Sequence, residues 1–211
     1  MFSNCLFLIL EARHATNLAS MEASFKLVFE DVSVRPLRLR DWRELEEILL
    51  RERKWLEPWE ATVPGGSRQL DVKGMVRSLL RQHRDGSAIA AIIEYKGKMV
   101  GQLNVANILY GSVSSGSIGY WVSEKFAGKG ITPTAVALIV DYMFIRLGLH
   151  RAEIAIRPEN KASLRIVEKL GFRHEGTKHR YIHIDGEWRD HEIFGMTRDE
   201  AKGGVLARFA R

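Results

Sequence analysis

The segment Phe126-Ala127-Gly128-Lys129-Gly130-Ile131-Thr132 leads from an alternating apolar run into a long apolar helical stripe, and its composition suits an anion. Glycines let a backbone approach phosphate closely and adopt positive φ. A helix N-terminus leaves several N–H groups without partners and carries about half a positive charge. Lys129 adds a full one. The chemistry is that of holding a phosphate-rich ligand, although a plain helix entry uses the same glycines. Two familiar phosphate motifs do not fit. A nucleotide-binding P-loop has glycine where Ser123 stands and Ser or Thr where Gly130 stands, and a dinucleotide fingerprint has its third glycine where Pro133 stands.

Other reactive side chains are sparse. The single cysteine, Cys5, excludes a disulfide framework and a multi-cysteine metal site, and its N-terminal position makes it a poor nucleophile candidate. His191-Glu192 lacks the second histidine of a zinc motif, Gly195 standing there, so no metal is expected. Trp55-Leu56-Glu57-Pro58-Trp59-Glu60, followed by the breakers Pro64-Gly65-Gly66-Ser67, reads as a loop with two large aromatics. These either line a cleft or pack into the core.

The elements that must position these residues follow from periodicity. Val32 and Val34 alternate, with a phase change after Pro36, which predicts an edge strand bulged at the proline. A helix follows, with Asp41 as cap, Glu44 in capping-box position, and Trp42, Leu45, Ile48 and Leu49 on one face. Met75, Val76, Leu79 and Leu80 predict a second helix stopped by Gly86. Strands near 88–95, 98–109 and 115–122 predict an antiparallel meander. Thr132 as cap and Pro133 as first residue open the clearest helix, with Val136, Ile139, Val140, Met143, Phe144 and Leu147 inward and Gly148 at its end. A strand with Ala152, Ile154 and Ile156 inward follows, so that strand, helix and strand read as a crossover between parallel strands. A short helix from Asn160 to Leu170 ends at Gly171, and the last two strands pair across Asp185-Gly186.

At 211 residues, 45% hydrophobic and 27% charged, the chain suits one soluble domain. The longest early apolar run, residues 5–10, is too short to span a membrane and lacks the flanks of a secretory signal, so the expectation is a cytoplasmic protein. Residues 1–30 lack periodicity and include Met21; they are expected to be an extension, with the domain at 31–198 and a tail at 199–211. The net charge of +6 admits a polyanionic partner. Basic residues are interleaved with acids, as in Arg51-Glu52-Arg53-Lys54, which favours a solvated surface over a nucleic-acid face.

Taken together, Ile118-Gly119-Tyr120-Trp121-Val122, the glycine turn, the helix to Leu147, and Asn160-Lys161-Ala162-Ser163 ahead of Glu168-Lys169-Leu170-Gly171-Phe172 resemble the GCN5-related N-acetyltransferases (GNAT). The ending Ile184-Asp185-Gly186-Glu187-Trp188-Arg189-Asp190-His191 resembles the RimJ and RimL branch, which acetylates ribosomal-protein N-termini. The resemblance covers about residues 32–197. It implies an α/β (α+β) GNAT fold: a mixed, mostly antiparallel sheet of about seven strands with flanking helices and a splayed parallel pair. It implies acetyl-CoA as cosubstrate, phosphates on the amides of Gly128, Lys129, Gly130, Ile131 and Thr132, pantetheine against Val122, and Asn160 and Ser163 at the thiol end. Ala127 and Thr132 depart from the family's turn, and Val167 stands where many members carry the tyrosine that protonates the leaving thiolate.

On that reading Ser163 is the proton donor to sulfur and a main-chain N–H around Tyr120 to Val122, on a bulged strand, stabilises the oxyanion. Glu175 is the candidate base, acting through water, or a surface glutamate. Tyr181, with His183, Asp190 and His191, is expected to shape the amine pocket or simply to pack. Trp55 and Trp59 would wall the acceptor peptide, and Glu57 and Glu60 would attract its ammonium. With Cys5 remote and no serine in a nucleophile elbow, direct transfer is expected over an acyl-enzyme. The acceptor is expected to be a protein N-terminus, with a ribosomal protein as substrate, on a monomer or homodimer. The family also acetylates polyamines, aminoglycosides and amino acids, and a non-catalytic acyl-CoA sensor or ribosome-binding module is the alternative of another class.

Overall fold

The computed structural model describes residues 25–66 and 70–210; Cys5, the apolar run at 5–10, Met21 and Ser67 lie outside them. Eight strands form one sheet: β1 (Leu27–Phe29), β2 (Val32–Pro36), β3 (Ile89–Tyr95), β4 (Lys98–Leu109), β5 (Ser115–Val122), β6 (Arg151–Ile156), β7 (Arg173–Ile184) and β8 (Glu187–Thr197). Their order is β1-β2-β3-β4-β5-β6-β8-β7, and every neighbouring pair is antiparallel except β5–β6. Among the described residues six α-helices flank it: α1 (Trp42–Arg51), α2 (Arg53–Leu56), α3 (Val72–Arg84), α4 (Ile131–Ile145), α5 (Lys161–Leu170) and α6 (Val205–Phe209).

Two apolar layers sandwich the sheet. In β3, Ile89, Ala91 and Ile93 face α4, whereas Ala90 and Ile92 face Leu45, Ile48, Leu49, Val72 and Val76 of α1 and α3. A strand covered on both faces reads as a continuous apolar run. Each fully buried isoleucine contributes about 1.5–3 kcal/mol relative to exposure. Helix α4 is buried on nearly every side, because the sheet covers one face and α5 and α6 cover others. Its Asp141 turns outward to cap α6, accepting from Val205 N at 2.7 Å and Leu206 N at 3.1 Å.

The fold is wider than the pattern predicts. β1 pairs with β2, and Phe25 is buried against Tyr142, so residues 25–30 belong to the domain. At the other end, Ala201 and Val205 are core residues and 199–210 is no loose tail. β2 is flanked on both sides with a regular register that ends at Pro36, neither an edge nor bulged. Asp41 does not cap α1 with its side chain; its carboxylate accepts from Arg38 N and Arg35 Nη1, each at 2.7 Å. Residues 55–59 are helical, the end of α2 running into a 3-10 turn at Glu57–Trp59, where a loop was expected.

Candidate active site

The two parallel strands share a register only at Ser115–Ser117 with Arg151–Glu153; beyond these residues they are unpaired with each other. On its other side β5 stays paired with β4, without a slip, from Ser117 to Val122. The expected bulge is therefore not at Tyr120–Val122; the irregularity in this pair lies between Ala106 and Leu109. Ser123 N–H donates to the Val100 carbonyl at 2.8 Å, so by alternation Val122 and Tyr120 turn their N–H and C=O groups toward the splay. Trp55 Nε1 donates to the Val122 carbonyl at 3.0 Å, which fixes α2 against this edge.

A cleft of about 630 Å³ runs from the splay to the glycine turn. Val122, Gly128, Gly130, Ile131 and Thr132 line it on one side, and Asn160 and Ser163 on the other. Gly128 and Gly130 have φ of +76° and +77°, the left-handed region that glycine enters without strain. Helix α4 begins at Ile131 with Gly130 as its N-cap, so Thr132 lies inside the first turn and does not cap it. Ala127 N–H is taken by the Glu124 carbonyl, and the first intrahelical donor is Thr134 N–H, bound to the Gly130 carbonyl at 3.2 Å. The amides from Gly128 to Thr132 have no protein acceptor among the described residues, and Pro133 has none to satisfy. Lys129 does not line the cleft; its ammonium lies 5.5 Å from the Phe126 ring. Instead Lys161, Arg165 and Lys169, spaced four apart on one face of α5, border the cleft. The sequence carried that basic stripe in plain view.

Asn160 Oδ1 accepts from Ser163 N at 3.0 Å and so caps α5, which fixes Ser163 in the first turn. Facing Ser163 is Tyr120. The Tyr120 hydroxyl is sealed from solvent; burial pushes its pKa up to about 12, opposed by the nearby Ser163 hydroxyl. Tyr120 alternates with Ile118 and Val122, and no local signal in the sequence marks its hydroxyl as part of the site.

At the splay a smaller chamber of about 210 Å³ adjoins the cleft, and Trp59, Tyr120, Asn160 and Ser163 border both. Arg157, at the end of β6, donates to the Pro58 carbonyl at 2.6 Å and lies 5.5 Å from the centre of the Trp59 ring. Trp59 therefore borders both cavities, whereas Trp55, expected beside it on the acceptor wall, lines the cleft alone.

Four expected site residues, Glu175, Glu57, Glu60 and Tyr181, line neither cavity. Glu175 is clamped by Arg151 (Nη1–Oε1 3.1 Å) and Arg173 (Nη2–Oε1 2.8 Å) and lines neither chamber. Its hydrogen bond from Arg151 holds it below the usual carboxylate range, the wrong direction for a base. Glu60 is ion-paired with Arg53, which also approaches Glu57 at 3.8 Å, so neither acid is free for an ammonium. Tyr181 is exposed beneath Lys178 (4.6 Å) and meets the His191 ring edge-on at 6.0 Å, outside both chambers.

The chain matches the family model described as "Acetyltransferase (GNAT) domain" over residues 31–173. It is 29% identical over 180 residues to the ribosomal protein uS5 alanine N-acetyltransferase of Escherichia coli, covering 82% of this chain and 90% of that protein. It is 37% identical over 99 residues to the probable N-acetyltransferase YjcK of Bacillus subtilis; that match takes in 47% of this chain and 55%, just over half, of the relative. Among solved structures it is similar to Mycobacterium smegmatis RimJ in complex with CoA-disulfide, with a TM-score of 0.80 and 33% identity, covering 89% of this chain and 92% of the other.

Proposed function

Since this chain belongs to the GNAT acetyltransferase family, we propose that it moves an acetyl group from acetyl-CoA to the N-terminal α-amine of a protein, a ribosomal protein foremost. The observation that carries this reading is the pairing of unpartnered amides at Gly128–Thr132 with an opened β5 edge and a second chamber beyond it. These residues fit the coenzyme. Five main-chain donors and the cations of Lys161, Arg165 and Lys169 suit its phosphates, and the N–H groups of Tyr120 and Val122 with the Tyr120 carbonyl suit an amide-bearing arm.

When bound, the coenzyme supplies the activated acetyl group. Tyr120 or Val122 N–H stabilises negative charge on the acetyl oxygen, a contribution of about 3 kcal/mol for one such donor. Ser163, held by Asn160 and facing Tyr120, passes a proton to the departing sulfur. Cleft and chamber bring amine and thioester together, which removes the entropy of their encounter from the barrier.

The acceptor chamber favours a small first residue. Its volume is about 210 Å³, Trp59, Tyr120, Arg157 and aliphatic side chains close it in, and among the described residues it offers no carboxylate to a polyamine. The uS5-alanine specificity of the Escherichia coli relative points the same way. The test is to mix the enzyme and acetyl-CoA with peptides beginning in Ala, Ser or a bulky residue, and with spermidine, following thiol release and peptide mass. Release with Ala or Ser peptides, with the acetyl on the α-amine, is expected. Acetylation of spermidine or of lysine side chains alone would overturn the assignment.

A further inference from the structure

The acceptor chamber holds a base that carries no charge. Apart from Arg157, the titratable side chains lining it are Tyr120 and His191. His191, on β8, is only 3% exposed. Its Nδ1 lies 3.0 Å from the Arg189 carbonyl oxygen. A carbonyl only accepts, so Nδ1 carries the proton and Nε2 keeps a lone pair. Nε2 has no hydrogen bond within the described residues, and the ring lines the chamber. We propose that His191 Nε2, directly or through one water, accepts the proton that the acceptor's ammonium must lose before it attacks. This deepens the acetyl-transfer reading above and rests on it.

The nearby carboxylates are unsuited to that task. Glu175 and Glu60 are held by arginines away from the chamber. Asp190 is bound by His179 and by Arg180 N–H. Glu159 borders the coenzyme cleft, pairs with Arg157 and lies outside the chamber. The groups around His191 keep it neutral. Burial disfavours its cation and outweighs the bond to the Arg189 carbonyl; Arg157 acts with burial, while Glu159 and Asp190 oppose it. Lys178 and Tyr181 flank it from β7. Its pKa is therefore below the ordinary histidine value, and Arg157 likewise favours a neutral amine in the chamber.

Protons balance. The ammonium gives one to Nε2 and becomes the nucleophile; nitrogen bonds to the acetyl carbon as the carbon–sulfur bond breaks. Nitrogen then gives up a second proton, and sulfur gains one through the Ser163 hydroxyl. The products are an amide and a thiol, and the imidazolium returns its proton to solvent.

The test variant is His191→Asn, whose side-chain NH₂ can still donate to the Arg189 carbonyl. With an Ala-initiated peptide at saturation, kcat is expected to fall about 10²- to 10⁴-fold, with coenzyme affinity unchanged. Wild-type kcat should fall on acidification through the depressed imidazole pKa and level off above it, whereas the variant should keep climbing with pH as the amine itself ionises. A purely structural role would lower the rate without removing that limb. Should the variant not fold, the imidazole of the wild-type coenzyme complex is titrated by NMR: protonation along the kcat limb supports the proposal, and a ring that does not titrate there overturns it. An active wild type with an unaltered limb in His191→Asn rejects the base assignment alone. A wild type inert toward every peptide rejects acetyl transfer and this inference with it.

Discussion

Gly130 meets two demands at once: a φ of +77° and the N-cap of a helix whose first amides face the cleft. No atom lies within 4 Å of a Cβ built there, so a substitution meets strain and not a clash. Gly130→Val should therefore cost about 1–2 kcal/mol in the bound geometry of the turn. Coenzyme A affinity, measured by calorimetric titration, should drop about 5- to 30-fold. An unchanged affinity would move the diphosphate away from this turn. Such residues were legible because the signal is local: Gly128, Gly130, Asn160 and Ser163 act through backbone geometry within a few positions of themselves. Glu175 and Glu60 were not, because a carboxylate's role depends on which cation folds onto it, and Arg151 lies 24 positions from Glu175. His191 and Tyr120 were named in the sequence, but that both line one chamber follows only from the strand order that sets β5 and β8 on either side of β6.

Strands β3 to β6 and helices α3 to α5 follow the apolar pattern of the sequence: β6 buries alternate residues, whereas β3 and α4, covered on both sides, read as continuous apolar runs. The elements that departed from it are short ones. β1, α2 and α6 have three, four and five residues, too few for a period to declare itself, and tertiary contacts decide them. The 3-10 turn at Glu57–Trp59 shows how. Pro58 gives its carbonyl to Arg157 from the far side of the splay, and Trp59 lies against the same guanidinium. Arg157→Lys keeps the charge but loses the planar fork and stacked face. The loss of one hydrogen bond and part of a cation–π contact is about 1–2 kcal/mol. The expected outcome is a KM for the peptide raised about 5- to 30-fold, with coenzyme affinity and kcat little changed. A KM that does not move would show that the turn does not shape acceptor binding.

Across the whole molecule, two ion-paired glutamates brace distant parts of the sheet. On β3, Glu94 accepts from Arg35 Nε at 2.6 Å and from Ser33 at 2.8 Å, joining β2 to β3. On β7, Glu175 accepts from Arg151 and Arg173, joining β6 to β7 across β8. Burial raises the pKa of Glu94, but the bonds from Arg35 and Ser33 outweigh it; in Glu175 the bond from Arg151 leads, against a smaller effect of burial. Both pKa values are depressed, so between folded and unfolded values the unfolded chain binds more protons. The stabilisation is full above the unfolded value of about 4.5 and is lost as pH falls through the depressed folded values. Glu94→Gln, the more buried site, should lower unfolding free energy at neutral pH by about 1.5–3 kcal/mol. The same variant should flatten the acid slope of stability, because the glutamine has no proton to gain. Denaturant unfolding between neutral pH and pH 3 measures both effects. If wild type and Glu94→Gln lose stability in parallel over that range, the clamp on β3 is not a source of acid sensitivity.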